Sequence, residues 1–295
     1  MKIFRPIFLK LTSIIPYGPG SYLLSLLYRS KISRRLFFRS RGRVVNRFLD
    51  ATGSTADEEQ ALIQSLICGK LVAWRMTALS RAHDKGANKW VHIDGAEHVE
   101  NAYRRNKRVI VIGSHQGFAR FVSQILSRMG YHLQLMATGH FYGGLDLPEW
   151  KNISTQQLGK SPFLAKEVFV ALKAIKAGKI FHTMADGMQG KAVLNLPLLG
   201  RMRGFTKSYA ELAISSDADV IPVFTRMELS GHIEVIFCPP LDKGTEDMAG
   251  EDRVSMMVQQ YVSLLSDVYR NEPASVHLNH MRRFLGYPPV ENNVD

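Results

Sequence analysis

Apolar residues follow two different spacings along residues 85–295. Continuous apolar runs with the length of buried strands lie at residues 90–93, 108–112, 132–137, 180–184, 220–225 and 232–238. Apolar residues at helical spacing lie at residues 96–106, 118–129, 164–177, 206–216 and 252–269. Strands interleaved with helices predict an α/β fold, a layered domain with a mostly parallel central sheet flanked by helices. In such sheets ligands bind beyond the carboxyl ends of the strands.

Helical signals precede this domain. Within residues 1–50, short amphipathic segments are separated by a turn at residues 17–20. Thr55 and Glu58 then form a capping box that opens a helix extending to about residue 81. We therefore divide the chain into a basic amphipathic helical arm, residues 1–50, and one α/β domain, residues 51–295, in which residues 51–84 are a helical lead-in.

Positive charge is concentrated in the arm. The chain has a net charge of +12, and its first 50 residues hold eleven Lys and Arg against one acid, Asp50. Cations beside Phe and Leu suit an anionic membrane surface, where the apolar residues enter the acyl boundary. Two other interpretations stay open: the apolar residues pack on the body while the charges are solvated, or the arm binds nucleic acid. Its many aliphatic residues and the lack of a nucleic-acid motif disfavour nucleic acid as a partner.

The sequence lacks the signals of several other classes of protein. Two cysteines exclude a disulfide scaffold and a thiolate metal cluster. No His, Asp or Glu set has metal-ligand spacing, so we expect no metal. Neither a Walker A motif nor a GxGxxG motif is present. No apolar run reaches 18 residues and no signal-peptide cleavage site follows an apolar core, so neither a spanning helix nor a signal peptide is predicted.

His115 is the strongest candidate for chemistry. The apolar strand at residues 108–112 runs into Gly113-Ser114-His115-Gln116-Gly117 and then into a helix. This order places His115 at the carboxyl end of a strand, where a side chain can face a ligand. The spacing is that of a nucleophile elbow, but a histidine stands where a hydrolase needs serine, which disfavours a serine hydrolase.

A second polar cluster follows the strand at residues 180–184. Asp186 and Gly187 come directly after that strand, and a loop and helix start further on carry Arg201, Arg203 and Lys207. Free backbone N–H groups and the helix dipole favour an anion at a helix start. A phosphate-bearing ligand is therefore one interpretation of these cations, and solvated loop charges are the other.

The order of these segments resembles a known family. The segments that carry the resemblance are Gly113-Ser114-His115 after one strand, Asp186-Gly187 after another, Leu199-Gly200-Arg201 leading to Phe205-Thr206 and to residues 210–213, and the stretches at residues 218–224 and 233–241. Together they resemble the lipid A biosynthesis (lauroyl/myristoyl) acyltransferases, within the lysophospholipid acyltransferase superfamily. The resemblance covers about residues 85–270.

This resemblance implies acyl transfer from an acyl carrier protein or coenzyme A thioester, as co-substrate rather than cofactor, to a hydroxyl or amine of a lipid or glycolipid. It also implies a position on the cytoplasmic face of the inner membrane. In the family a histidine removes the acceptor's proton, and an acid five positions later orients the ring. His115 matches the histidine, and the amide groups at Gly117 and the following helix start are candidates to bind the developing oxyanion.

The sequence departs from the family at that acid, because Arg120 occupies its position. A cation near the ring disfavours imidazolium, which is the reverse of a carboxylate's effect. Asp186, at the end of another strand, is the best substitute. Alternatively Arg120 binds a phosphate of the donor or acceptor, or the chain is an impaired acyltransferase-like protein that binds lipid or a partner without turnover.

Overall fold

The computed structural model describes residues 15–30, 39–57, 60–63, 78–79, 88–138, 152–158, 165–186, 193–228, 230–244 and 247–288. Most of the predicted lead-in helix and Gly187 lie outside these residues, as does the side chain of Arg120, whose backbone belongs to a 3₁₀ turn at Ala119–Phe121.

Seven strands form the central sheet, in the order β1-β9-β8-β2-β5-β3-β4. Five of its six neighbouring strand pairs are parallel, and only β8 and β9 pair antiparallel. The strands are β1 (Val91–Asp94), β2 (Val109–Gly113), β3 (Leu133–Thr138), β4 (Ile153–Leu158), β5 (Ile180–Met184), β8 (Asp219–Met227) and β9 (Ile233–Phe237). A separate hairpin consists of β6 (Val193–Leu198) and β7 (Arg201–Thr206).

Helices cover both faces of the sheet, which confirms the predicted α/β layered fold. The described helices are α1 (Tyr17–Arg29), α2 (Arg39–Thr52), α3 (Ala96–Asn106), α4 (Val122–Arg128), α5 (Ala165–Lys176), α6 (Ser208–Ser216), α7 (Gly250–Asn271) and α8 (Leu278–Leu285). Strand β2 shows why the sheet is buried on both sides. Its residues are fully buried, with Val109 and Val111 in one hydrophobic core and Ile110 and Ile112 in the other.

Two segments of the predicted arm contact the body on opposite faces of the sheet. Tyr17 in α1 joins the core that contains Val109, packs edge-on against Trp90 and donates its hydroxyl hydrogen to the Gly231 carbonyl at 2.6 Å. Helix α2 joins the other core, where Phe48 is fully buried. The predicted boundary at residue 50 therefore falls inside α2.

Helix α1 also keeps an apolar surface. Tyr22, Leu23, Leu26 and Leu27 are between 44% and 62% exposed, whereas Tyr17 and Ser21 are buried. The spacing of these four residues places them along one side of the helix. Packing on the body thus accounts for one side of α1 and leaves the other side uncovered by the described residues. Among those residues, no helix is both long enough and apolar enough to span a membrane.

Three elements were not predicted from the sequence. Strand β4 is the edge strand beside β3, the β6–β7 hairpin packs on α7, and α8 follows the long helix α7. The hairpin turns through Leu199 and Gly200, which both have positive φ, at 48° and 76°. Positive φ at both central positions is the mark of a type I′ turn.

Candidate active site

Two adjacent parallel strands place His115 beside Asp186. Strands β2 and β5 pair in register, with Gly113 opposite Met184. Each site residue follows two positions after that pair, so both side chains emerge at the carboxyl edge of the sheet. The fold therefore brings together the two residues that the sequence nominated separately.

Asp186 contacts His115 through both carboxylate oxygens. Oδ1 lies 2.6 Å from the ring Nδ1, and Oδ2 accepts the backbone N–H of His115 at 2.8 Å. The Asp186 side chain is 1% exposed, whereas that of His115 is 48% exposed. The carboxylate is thus inside the protein and the imidazole reaches the surface. A proton held on Nδ1 by Asp186 fixes the tautomer in which Nε2 carries the lone pair.

Asp186 is held in the charged form. Its burial would raise its pKa, but the attraction of a protonated His115 ring and the hydrogen bond between the two side chains outweigh burial, and the net pKa lies far below the ordinary range. His280 and Arg203 act in the same direction. Near neutral pH the ring of His115 therefore faces a carboxylate, which fixes its tautomer and favours the imidazolium.

The loop that carries His115 depends on a glycine. Gly117 has a φ of +52°, and a Cβ there would lie 1.9 Å from the Thr225 carbonyl oxygen. Because the loop passes this close to Thr225, the Phe118 N–H also donates to Thr225 Oγ1 at 2.8 Å. Strand β8, which supplies Thr225, therefore holds the loop against the sheet.

The predicted oxyanion role of Gly117 needs correction. Its N–H already donates to the Ser275 carbonyl at 2.6 Å, and the N–H of Phe118 is taken by Thr225. Neither amide is free to bind an oxyanion in this structure. Gly117 instead allows the loop to approach β8 and the C-terminal segment closely.

Arg203 lies in the protein interior, which corrects its predicted phosphate contact. It is 5% exposed, donates to the backbone carbonyl of Asp186, and lies over the rings of Phe205 and Tyr287. Burial opposes its charge, yet Tyr269 and Asp186 nearby raise its pKa, so it stays a cation. Arg203 therefore supports Asp186 through its backbone carbonyl and through its charge.

Arg201 and Lys207 have other surroundings. Arg201 belongs to β7 and donates Nη1 to the carbonyls of Leu285 and Tyr287, at 3.1 and 2.8 Å. It also lines a cavity of about 400 Å³ together with Arg47 and Asp50. Lys207 is the residue before α6, and its Nζ lies 3.3 Å from Glu211 Oε1. A phosphate contact by either residue stays a prediction.

Two histidines of the C-terminal segment also reach the site, and the sequence analysis missed both. The ring of His280 stacks on that of His115, with centroids 5.1 Å apart and planes 14° apart. His277 donates Nε2–H to the Gly117 carbonyl at 3.1 Å. Both share a helical stripe with Met281 and Phe284, which are buried. That spacing was the available signal, but it does not say where the helix packs.

Burial has a clear effect on His280. It lowers the pKa of the ring to about 4; Asp186 opposes that effect, whereas Arg283 and any proton bound by His115 or His277 add to it. His280 is therefore neutral near physiological pH. Among the residues that the structure describes, no cluster of three or more His, Cys, Asp or Glu side chains is placed to hold a metal ion.

An imidazole paired with a buried carboxylate at the carboxyl edge of a parallel sheet is the arrangement of a general base in an α/β enzyme. Comparison with protein families agrees with this class: the family model of the bacterial lipid A biosynthesis acyltransferases matches residues 51–283 of the sequence. Because the match covers well over half of the chain, this protein belongs to that family, and its domain is an acyltransferase of the lipid A biosynthesis type. No curated protein matches the chain significantly.

Proposed function

We propose that this protein transfers a fatty acyl group from a thioester to a hydroxyl or amine of a lipid or glycolipid, with His115 as the general base. The observation that carries the proposal is the pair of contacts from Asp186 to His115. They hold the ring by one nitrogen while half of the side chain stays exposed. The second nitrogen, Nε2, is the one that meets the acceptor.

The reaction moves one proton through His115. As the acceptor oxygen or nitrogen attacks the thioester carbonyl, its proton passes to Nε2 and the ring becomes imidazolium beside the Asp186 carboxylate. Collapse of the tetrahedral intermediate breaks the carbon–sulfur bond, and the departing thiolate takes the proton from Nε2, which restores neutral His115. Such positioned acid–base catalysis contributes about 10²–10⁴-fold to rate. Asp186 orients the ring and offsets the transient charge.

The donor is an acyl carrier protein or coenzyme A thioester. Membership in the family supports a lipid acceptor and a carrier-protein type of donor in general. We propose that the chain works at the cytoplasmic face of the inner membrane and is held there peripherally. The uncovered apolar side of α1 and the cations of residues 1–50 support this attachment.

Arg120 motivates the competing interpretation, in which the protein binds lipid or a partner without turnover. Asp186 argues against it, because this carboxylate already occupies the ring nitrogen that the family's acid would orient. A carboxylate introduced at position 120 could not bind Nδ1 of His115, because Asp186 already binds it. We therefore expect Arg120→Glu to change the transfer rate by less than about threefold, whereas a gain of tenfold or more would mean that the family's own dyad had been broken.

The decisive experiment is a transfer assay with matched histidine variants. Acyl carrier protein and coenzyme A thioesters of the same chain length are each incubated with the protein and a lipid extract. Thiol release and new acylated lipids are then measured by mass spectrometry. We expect His115→Ala to lower transfer at least about 100-fold, while His92→Ala, at an exposed position of β1, leaves it unchanged. Equal rates with and without His115 would exclude the proposed role, and lipid binding without any turnover would favour the competing interpretation.

A further inference from the structure

The C-terminal segment is fastened to the loop that carries His115. The Gly117 N–H donates to the Ser275 carbonyl, Gln116 forms an antiparallel β-bridge with Val276, and His277 donates to the Gly117 carbonyl. Three consecutive residues of the segment therefore contact two consecutive residues of the loop. Ser275 and Val276 are fully buried, so this is a packed junction.

Helix α8 continues from that junction and brings a ring onto the base. Met281 and Phe284 anchor the helix in the core, and Phe284 packs edge-on against Phe48 with centroids 5.3 Å apart. His280 precedes Met281 by one residue and lies nearly parallel to His115, with an angle of 14° between the planes. The ring of His280 thus covers one face of the base, while Asp186 holds its edge.

We propose that His280 is a positioning residue for acyl transfer: its ring covers one face of His115 and confines that imidazole to the orientation in which Nδ1 meets Asp186 and Nε2 meets the acceptor. The kinetic part of this inference rests on the proposed function. The structural part, which is the effect of His280 on the hydrogen bond between His115 and Asp186, is independent of the proposed function.

Two physical features suit His280 to the role of a positioning residue. A flat ring stacked on another restricts rotation about χ2, which otherwise has a broad energy profile for histidine. A neutral ring also tolerates the positive charge that His115 acquires during turnover, because the negative face of an aromatic ring attracts a cation. His280 stays neutral among Asp186, His115, His277 and Arg283, since its burial lowers its pKa to about 4.

The proposal attributes the effect to the shape of the ring and not to its nitrogens. His280→Phe keeps a flat ring, and His280→Ala removes it. His232→Ala is the matched control, because His232 lies against the ring of Trp90, with centroids 4.9 Å apart, and belongs to no part of the site. Thermal unfolding of all three variants shows whether a loss of activity comes from a loss of folded protein.

We expect His280→Ala to lower kcat at least tenfold with the KM for the thioester within twofold, and His280→Phe to stay within threefold of the unsubstituted protein. The Nδ1 proton shared with Asp186 gives a second readout. Its downfield NMR resonance, identified by its absence in His115→Gln, is expected to be sharp in the unsubstituted protein, His280→Phe and His232→Ala, and broadened or lost in His280→Ala.

Each contrary result has one meaning. A kcat for His280→Ala within threefold of the unsubstituted protein would overturn the proposal, as would an unchanged Nδ1 resonance. Equal losses in the Phe and Ala variants would overturn it too, because the nitrogens would then be what matters. If the unsubstituted protein transfers no acyl group, the proposed function fails, and the NMR signal alone decides whether His280 positions His115.

Discussion

Asp186 binds both the ring and the backbone of His115, at 2.6 Å from Nδ1 and 2.8 Å from the amide nitrogen. One carboxylate therefore fixes the orientation of the side chain and the path of the loop that carries it. The β2–β5 pairing makes this possible, since the register sets Gly113 opposite Met184. His115 and Asp186 each lie two positions after that pair, so they meet beyond the ends of the two strands.

The first prediction concerns the charge of Asp186. In Asp186→Asn, an amide donating to Nδ1 would force the proton of His115 onto Nε2, the nitrogen that has to accept. By analogy with the serine-protease triad, where the same change gives the wrong tautomer, we expect kcat to fall about 10²–10⁴-fold. Steady-state transfer rates measure the effect.

Asp219→Asn is the control for the loss of a buried carboxylate. Asp219 is also buried and pairs with Arg105 at 2.8 Å, but it lies at the first residue of β8, at the opposite edge of the sheet from His115. We expect it to lower stability without lowering kcat. Similar kcat losses in the two variants would contradict a specific role for Asp186.

The second prediction concerns the glycine of the His115 loop. In Gly117→Ala, the added methyl group would overlap the backbone oxygen of Thr225, and the φ of +52° is itself unfavourable for alanine. We expect a loss of about 3 kcal/mol or more in the free energy of unfolding, measured by urea titration. Gly53→Ala has a similar φ of +63° but open space around the Cβ position. Its loss should be only about 1–2 kcal/mol, and equal losses would show that no steric conflict exists.

The third prediction separates the two basic residues Arg203 and Lys207. Arg203→Gln removes a buried cation beside Asp186 and leaves its carboxylate less compensated, so we expect a loss of about 3 kcal/mol or more in stability. Lys207→Gln breaks a partly exposed pair with Glu211 one helical turn away, worth about 0.5 kcal/mol or less. Thermal unfolding compares them. If Arg203 instead binds a substrate phosphate, its replacement should raise KM and leave the melting temperature unchanged.

The sequence predicted the parts of the fold that rest on apolar periodicity. Strand β5 and helix α3 begin and end where the pattern placed them. Periodicity could not reveal β4, whose residues Ser154, Thr155 and Gln156 are polar. Nor could it reveal the β6–β7 hairpin, because Pro197 interrupts the first strand and the turn uses Leu199 where Asn or Asp is usual.

The same contrast holds at the site. His115 and Asp186 were predictable because each follows a buried strand, and parallel neighbours bring their carboxyl ends to one edge. His280 lies 165 positions after His115 in the sequence, and only the packing of α8 brings the two rings together. Arg203 looked like a loop cation beside a helix start, but its strand points the guanidinium inward, over Phe205. Which way a long side chain turns is a property of tertiary packing.

The fourth prediction concerns attachment of α1 to a membrane. Replacing Leu23 and Leu27 with serine removes apolar area from the uncovered side of the helix and leaves its contacts with Trp90 intact. At about 1.5–3 kcal/mol for each fully buried side chain, we expect binding to anionic vesicles to fall at least about tenfold in a flotation assay. Phe169→Ser is the control, since Phe169 is 66% exposed but belongs to α5. Unchanged binding by the Leu23/Leu27 variant would contradict the proposed membrane surface.

The fifth prediction concerns acid sensitivity. His182 in β5 is buried, and its Nε2 has no hydrogen-bond partner among the described residues. Burial lowers its pKa from 6.5 to about 4. The folded protein therefore keeps this ring neutral while the unfolded chain binds a proton, so the stability it contributes is present above pH 6.5 and is lost as the pH falls toward 4. His280 acts in the same direction, whereas Asp186, with a lowered pKa, loses its contribution only below its ordinary value of 3.8.

The loss of stability between pH 6.5 and 4 is therefore assigned to these buried histidines. One variant, His182→Gln, isolates the contribution of His182. A difference of one bound proton changes the unfolding free energy by about 1.4 kcal/mol per pH unit. We expect urea titrations at several pH values to give a slope that is shallower by about this amount in His182→Gln than in the unsubstituted protein, even if the variant is less stable at every pH. His92→Gln, at an exposed site, should keep the original slope. Parallel curves for the unsubstituted protein and His182→Gln would mean that the buried ring is already protonated in the fold or titrates alike in both states.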